Sequence, residues 1–191
     1  MSGQVDGESE LVSSSDALLL RRGAPDDADQ IAGISVRAWI HAYESFLDPR
    51  VLAERTVAAQ AERWRGWLAG TETETEVAEV RGRIAGYATV GASRDGDADG
   101  TVGELSALYV DPSAQGAGLG TRLLADATAR LRASGFTVAT LWVFEENGLG
   151  RAFYERHGWR PDPDGVGREG ADWHGPALRY RIELGSSDPG R

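Results

Sequence analysis

The sequence predicts one α/β domain, a mixed sheet with helices packed on both of its sides. Two observations predict it. The chain reads β-α-α-β-β-β-α-β-α-β, three antiparallel strands followed by a β-α-β crossover. The apolar period also changes, from helical spacing before Gly70 to alternation after it. A length of 191 residues suits a single domain with a sizeable core.

Each element has a local reason. "ALLLRR" (17–22) reads as a first strand. Pro25 sits near a helix start, with Asp26, Asp27 and Asp29 in the first turns, where the helix dipole favours anions. Ile31, Ile34 and Ala38 follow at helical spacing, and Trp39 and Tyr43, four apart, form a second stripe. "ESFLDP" (44–49) ends that helix. A second helix is expected from about 50 to 69, carrying Trp64 and Trp67 and stopping at Gly70. "TETEVAEV" (73–80), "RIAGYATVGA" (83–92) and "VGELSALYV" (102–110) read as strands, the first two joined by a tight turn at Arg81 and Gly82. "SRDGDADG" (93–100) is a polar loop. Leu119, Leu123, Leu124, Ala127 and Leu131 make a helical stripe that ends at Gly135. "FTVATLWVF" (136–144) is almost wholly apolar, as a strand buried on both faces should be. A short helix is expected over 147–157, ending at Gly158, and "ALRYRIEL" (177–184) alternates as a final strand.

Composition narrows the function classes. There is no cysteine, which removes disulfides, thiolate metal sites and a Cys nucleophile. The three histidines, His41, His157 and His174, are not spaced as a metal pair, so no metal is expected. The net charge is −10 and all 20 basic residues are arginine. That balance argues against nucleic acid, which needs a basic face. It suits a cationic substrate, and solubility explains it equally well. No window approaches the roughly 18 apolar residues of a membrane span. The N-terminus lacks the apolar core of a signal peptide, so a cytoplasmic location is expected. Residues 1–16 are expected to be a disordered tail, 17–184 the domain and 185–191 a loose tail.

The most unusual stretch is "DPSAQGAGLGTRLLADA" (111–127), in which Gly116, Gly118 and Gly120 alternate just before a helix. A dinucleotide fingerprint needs G-x-G-x-x-G after the first strand, and this loop is G-x-G-x-G late in the chain. A Walker A loop needs Lys, and the chain has none. A third reading fits the strand-loop-helix context. Free amides at a helix N-terminus carry partial positive charge, and glycines let the backbone approach a phosphate closely. A glycine-rich turn without a ligand is the alternative.

Here the sequence resembles a family. "LYVDPSAQGAGLGTRLL" is similar to the acetyl-CoA-binding segment of the GCN5-related N-acetyltransferases (GNAT), Gln/Arg-x-x-Gly-x-Gly/Ala, through Gln115, Gly118 and Gly120. A second family segment is matched by Asn147, by Tyr154 seven residues later, and by Gly158-Trp159. The element order over roughly 17–184 agrees with the same family. One departure is Gly150, where the family more often has Ala or Ser, and which should weaken the start of that helix slightly.

The resemblance implies a GNAT-like fold with a central, mostly antiparallel sheet. It also implies transfer of an acetyl group from acetyl-CoA directly to an amine, on a small molecule, an amino acid or a peptide. The absence of Cys agrees with direct attack. Glu104 is the candidate general base, acting directly or through water, and Tyr154 the candidate acid. Strict alternation puts Glu104 on one face with Ser106, Leu108 and Val110, although a bulge, which the family has in this strand, would shift that parity. The backbone of Leu108, Tyr109 and Val110 is expected to pair with the pantetheine arm. The amides of Gln115, Gly116, Ala117, Gly118, Leu119 and Gly120, with Thr121, are expected to hold the pyrophosphate. Asn147 is read as a helix cap, a pantetheine partner, or both, and Arg122 as a solvated arginine before a 3′-phosphate ligand. Trp39, His41, Tyr43 and Glu44 are the candidate substrate residues, with core packing as the competing reading of the two rings. The loop 161–175 reads as a lid or as a plain insertion. A protein N-terminal or lysine acetyltransferase and an inactive acetyl-CoA sensor are the rival functions, and a homodimer is left open.

Overall fold

The computed structural model describes residues 18–165 and 175–185. The expected N-terminal tail, residues 166–174 of the 161–175 loop with His174, and the C-terminal tail after Gly185 lie outside the described residues.

The expected strands form. They are β1 (Leu19–Arg22), β2 (Thr73–Val80), β3 (Arg83–Ala92), β4 (Val102–Val110), β5 (Val138–Phe144), β6 (Arg160–Pro161) and β7 (Ala177–Glu183). The two-residue β6 has no periodicity to announce it. The sheet order is β1-β2-β3-β4-β5-β7-β6, and only β4 and β5 run parallel. A mostly antiparallel sheet interrupted at one parallel pair is what the crossover in the element order requires.

The helices are α1 (Ala28–Tyr43), α2 (Pro49–Glu54), α3 (Val57–Ala69), α4 (Leu119–Ala133) and α5 (Gly148–Arg156). A 3₁₀ turn at Pro25–Asp27 precedes α1. The single helix expected over 50–69 is therefore two. Arg55 leaves helical geometry at φ −85, ψ 87, and the Thr56 hydroxyl caps α3 by accepting from the Ala59 amide. Thr56 is thus the local start signal of α3.

Both faces of the sheet are covered. Leu119, Leu123, Leu124, Ala127 and Leu131 of α4 pack on Val90, Leu105, Leu141 and Val143, with Phe153 and Tyr154 of α5 against the same core. On the opposite face, Ile31 and Ile34 of α1 and Trp64 of α3 pack on Val77 and Tyr87. Leu123 is fully buried, so truncating it to Ala costs about 2–5 kcal/mol.

Strict alternation along β4 is broken. Thr89 faces Ala107 and Val90 faces Leu105, so Ser106 is an extra residue in β4. The Ser106 hydroxyl donates to the Thr89 carbonyl at 3.2 Å. Leu105, Leu108 and Val110 thus share the α4 face, while Ala107 and Tyr109 face α1 and α3. Glu104, next to Leu105, falls on the Tyr109 face rather than with Leu108 and Val110.

Candidate active site

The site begins where the parallel pair opens. β4 and β5 pair only over Val102–Glu104 and Val138–Thr140, and beyond that the two strands splay apart. The β5-facing edge of β4 from Leu105 to Val110 therefore carries no strand partner. A cleft of ≈ 570 Å³ occupies the fork, within the ordinary size of a small-molecule site.

One end of the cleft is made by the glycine loop. Asp111 turns the chain out of β4, accepting from the Ser113 amide at 3.0 Å and pairing with Arg37 of α1. Burial opposes its charge, but the Ser113 and Arg37 bonds outweigh this and hold the Asp111 carboxyl below the usual range. The Gln115 side-chain amide donates to the Val110 carbonyl at 3.4 Å. Gly116 (φ 83) and Gly118 (φ 76) are left-handed, and Gly118 is the N-cap of α4. An L side chain in that region costs about 1–2 kcal/mol, which is why glycine stands there. The first-turn amides of α4 have no intrahelical acceptor and sit at its positive end.

α5 closes the opposite wall. The Asn147 side-chain oxygen caps it, accepting from the Gly150 amide at 2.9 Å. A Cβ on Gly150 would stand 2.7 Å from Asn147 Nδ2, so the departure to glycine makes room for this cap. Tyr154 is half-buried overall, yet the packing around its phenol pushes its pKa up.

The third wall comes from α1 and the strands. Tyr43 is buried, in edge contact with Trp39 at 5.3 Å and Phe144 at 4.9 Å. Burial first, then its hydrogen-bonded neighbour Tyr109, pushes the Tyr43 phenol well up. Trp142 reaches the cleft from β5 with its indole N–H bonded to Asp95 at 3.0 Å.

Most of the sequence-predicted residues meet here. Leu108, Tyr109, Val110, Gln115, Gly116, Gly118, Leu119, Gly120, Thr121, Asn147, Tyr154, His41 and Tyr43 all line the one cleft. Ala117, Glu104, Trp39 and Glu44 are outside its lining. Trp39 is core, with the Arg55 guanidinium over its ring at 5.0 Å, and Glu44 is exposed. Glu104 is 3% exposed at the closed end of the fork, its carboxylate accepting from the Arg94 amide at 3.4 Å.

The structure adds lining residues that sequence reasoning missed. Leu149, Phe153 and Arg156 line the cleft from α5. Their spacing, four then three, is one helical stripe and was a readable signal. Trp142 had only its alternation with Thr140 and Phe144. Among the described residues, no group of three or more His, Asp or Glu is placed to hold a metal ion. No described helix is long and apolar enough to cross a membrane.

Comparison with known proteins agrees with this geometry. Residues 36–159 match the family model for the acetyltransferase (GNAT) family. An uncharacterized N-acetyltransferase of Archaeoglobus fulgidus is 28% identical over 153 residues, 78% of this chain and 99% of that protein. The mycothiol acetyltransferase of Beutenbergia cavernae is 46% identical over 63 residues, 33% of this chain but only 21% of that protein's length. Among solved structures, PaiA N-acetyltransferase of Thermoplasma acidophilum in complex with coenzyme A superposes with TM-score 0.69. The two share 14% identity over 87% of this chain and 99% of that one, a likeness of fold. The chain belongs to the GNAT family. It is accordingly an acetyl-CoA-dependent N-acetyltransferase.

Proposed function

We propose that this chain acetylates the amine of a small molecule, an amino acid or a peptide, within the fork between β4 and β5. The observation that carries the reading is the single cleft joining the glycine loop, the open edge of β4 and Tyr154. The residues present fit the cofactor. Positive helix-end amides lie at one end, Arg156 lines the wall, and among the described residues no Asp or Glu lines the cleft to repel phosphate.

Acetyl-CoA supplies the activated acetyl thioester and a thiolate leaving group. The chain's own residues have three tasks. The amides of Gly116 to Thr121, including Ala117, seat the pyrophosphate, the Gln115 amide being turned back to the Pro112 carbonyl at 3.5 Å, and the β4 edge at Leu108 to Val110 offers backbone groups to the pantetheine amides. Asn147, its oxygen spent on the cap, has Nδ2 left to donate. Tyr154 keeps its proton on Oη across the working pH range, because burial raises its pKa, and so stands as a hydrogen-bond donor to a thiolate.

Glu104 is the proposed proton acceptor for the amine. Its neighbour Leu105 lines the cleft while it does not, which supports action through water rather than by contact. Tyr43, His41, Tyr109 and Trp142 form the amine end, with Trp39 and Glu44 supporting from outside it. Much of the rate then comes from holding amine and thioester together.

The test is thiol release from acetyl-CoA across amines, amino acids and peptides. Glu104→Gln should lower kcat about a hundredfold or more at neutral pH with acetyl-CoA affinity unchanged. Tyr154→Phe should also lower kcat with little change in KM for acetyl-CoA. Full turnover in either variant removes that residue's role. Binding of acetyl-CoA without release on any amine would leave a sensor, and release on proteins alone would make the acceptor a polypeptide.

A further inference from the structure

At the glycine end of the cleft, α4 and α5 are tied by one imidazole. His157, the residue that ends α5, lies with Nδ1 2.7 Å from the Phe153 carbonyl and Nε2 3.1 Å from the Thr121 hydroxyl. A carbonyl only accepts, so Nδ1 carries a proton. In the neutral ring Nε2 is then the acceptor, and the Thr121 hydroxyl proton is committed to it. In the charged ring Nε2–H donates instead, so Thr121 becomes the acceptor and its own proton is free to point elsewhere. Thr121 lines the cleft in the first turn of α4, beside the proposed pyrophosphate seat.

We infer that His157 is a positioning residue for the cofactor pyrophosphate, acting through Thr121: a proton taken up on His157 turns the Thr121 hydroxyl into a donor to phosphate. The same proton adds a positive charge beside an anionic group, and the C-terminal end of α5 favours a cation there. The rings are held for this. The Phe153 ring lies against the His157 ring, centroids 4.6 Å apart and tilted by 48°, and its Cζ also approaches Gly120 of α4, so the same ring touches both helices.

The surrounding charged groups are few. Arg122 follows Thr121 on α4, and Glu155, Arg156 and Arg160 flank the imidazole along the chain. The Glu155 carboxylate accepts from the Tyr180 hydroxyl at 2.7 Å, and Arg160 donates to the Glu155 and Trp159 carbonyls. On β7, Arg181 and Glu183 pair with each other at 2.6 Å. Among the described residues, none of these groups hydrogen-bonds the imidazole.

The inference rests on the reading of residues 116–121 as the pyrophosphate seat, and the experiment separates the two. The probe is 3′-dephospho-CoA, because the 3′-phosphate of CoA itself titrates near pH 6. Pantetheine, which lacks the pyrophosphate, is the control. Calorimetric affinities are measured from pH 5.5 to 8 in buffers of different ionisation enthalpy. Dephospho-CoA should bind about tenfold more tightly at the acid end and take up protons near pH 7, while pantetheine shows neither effect. His157→Phe and Thr121→Val should each flatten the profile to within about twofold, and Thr121→Ser should restore it. A flat wild-type profile overturns the inference, as does an undiminished pH dependence in both variants. Dephospho-CoA binding no tighter than pantetheine at any pH overturns the seat itself.

Discussion

At its α4 end the cleft is walled by backbone, with left-handed Gly116 and Gly118, the first-turn amides of α4 and the open edge of β4. At its α1 end it is walled by side chains from separate elements, with Tyr43 from α1, Tyr109 from β4 and Trp142 from β5. A backbone site binds whatever carries phosphate and amide groups, and needs only the right φ/ψ and a helix start. A side-chain site depends on which residues the packing brings together. The first suits a donor common to a family, and the second suits an acceptor peculiar to one member.

The α1 end is held by a latch that is open to attack. Arg179 is buried and grips Asp97 at 2.6 and 2.7 Å, Asp162 at 2.9 Å and Asp95 at 3.3 Å, and it lies 5.9 Å from the Trp142 ring. The Asp95 and Asp162 side chains are 5% and 4% exposed. Arg179→Met leaves both carboxylates buried beside an apolar chain. It should cost about 3–5 kcal/mol in denaturant unfolding. A loss below about 1 kcal/mol would show that the latch does not hold this wall.

The same pairs set the acid limit. The Arg21 hydrogen bonds hold Asp27 below the usual carboxylate range, and those of Arg179 do so for Asp97. A depressed folded pKa stabilises above the unfolded value and is lost as pH falls through the folded one. The unfolding midpoint should thus stay level down to about pH 5 and fall below about pH 4. Arg179→Met should make that fall shallower, and an identical acid limb would remove Asp97 from the account.

Two smaller substitutions separate the ends. Gly118→Ala strains a left-handed cap by about 1–2 kcal/mol, so KM for acetyl-CoA should rise about tenfold with KM for the amine unchanged. A rise in both would mean that the loop serves the fold rather than the donor. Tyr43→Phe removes one hydroxyl from the α1 end and breaks its bond to Tyr109. Such a bond is worth about 1 kcal/mol, so KM for the amine should rise about fivefold with KM for acetyl-CoA constant. The reverse pattern would put Tyr43 on the donor side.

The split between the two ends also explains what could be read in advance. The glycine end was legible because its residues are consecutive and each answers to a local rule. Alternation gave β2, β3 and β4 their bounds, and the stripe from Leu119 to Leu131 gave α4 its buried face. Thr56, the cap that divides α2 from α3, is an equally local signal. The face that Glu104 takes was not legible: the resemblance implies a bulge in β4, and only the register with β3 puts it at Ser106.

By itself, then, the sequence determined the order of the elements, the left-handed glycine loop before α4 and the helix that carries Asn147 and Tyr154. Those features follow from φ preferences, caps and apolar period, which act within a few residues. Tertiary structure alone decided that β4 and β5 part after Glu104 and Thr140, and that Trp142 enters the fork. It also decided that Trp39 is core while Tyr43 reaches the cleft, and that His157 meets Thr121. Each of these joins residues distant in the chain, and which of them meet is set by sheet order and register.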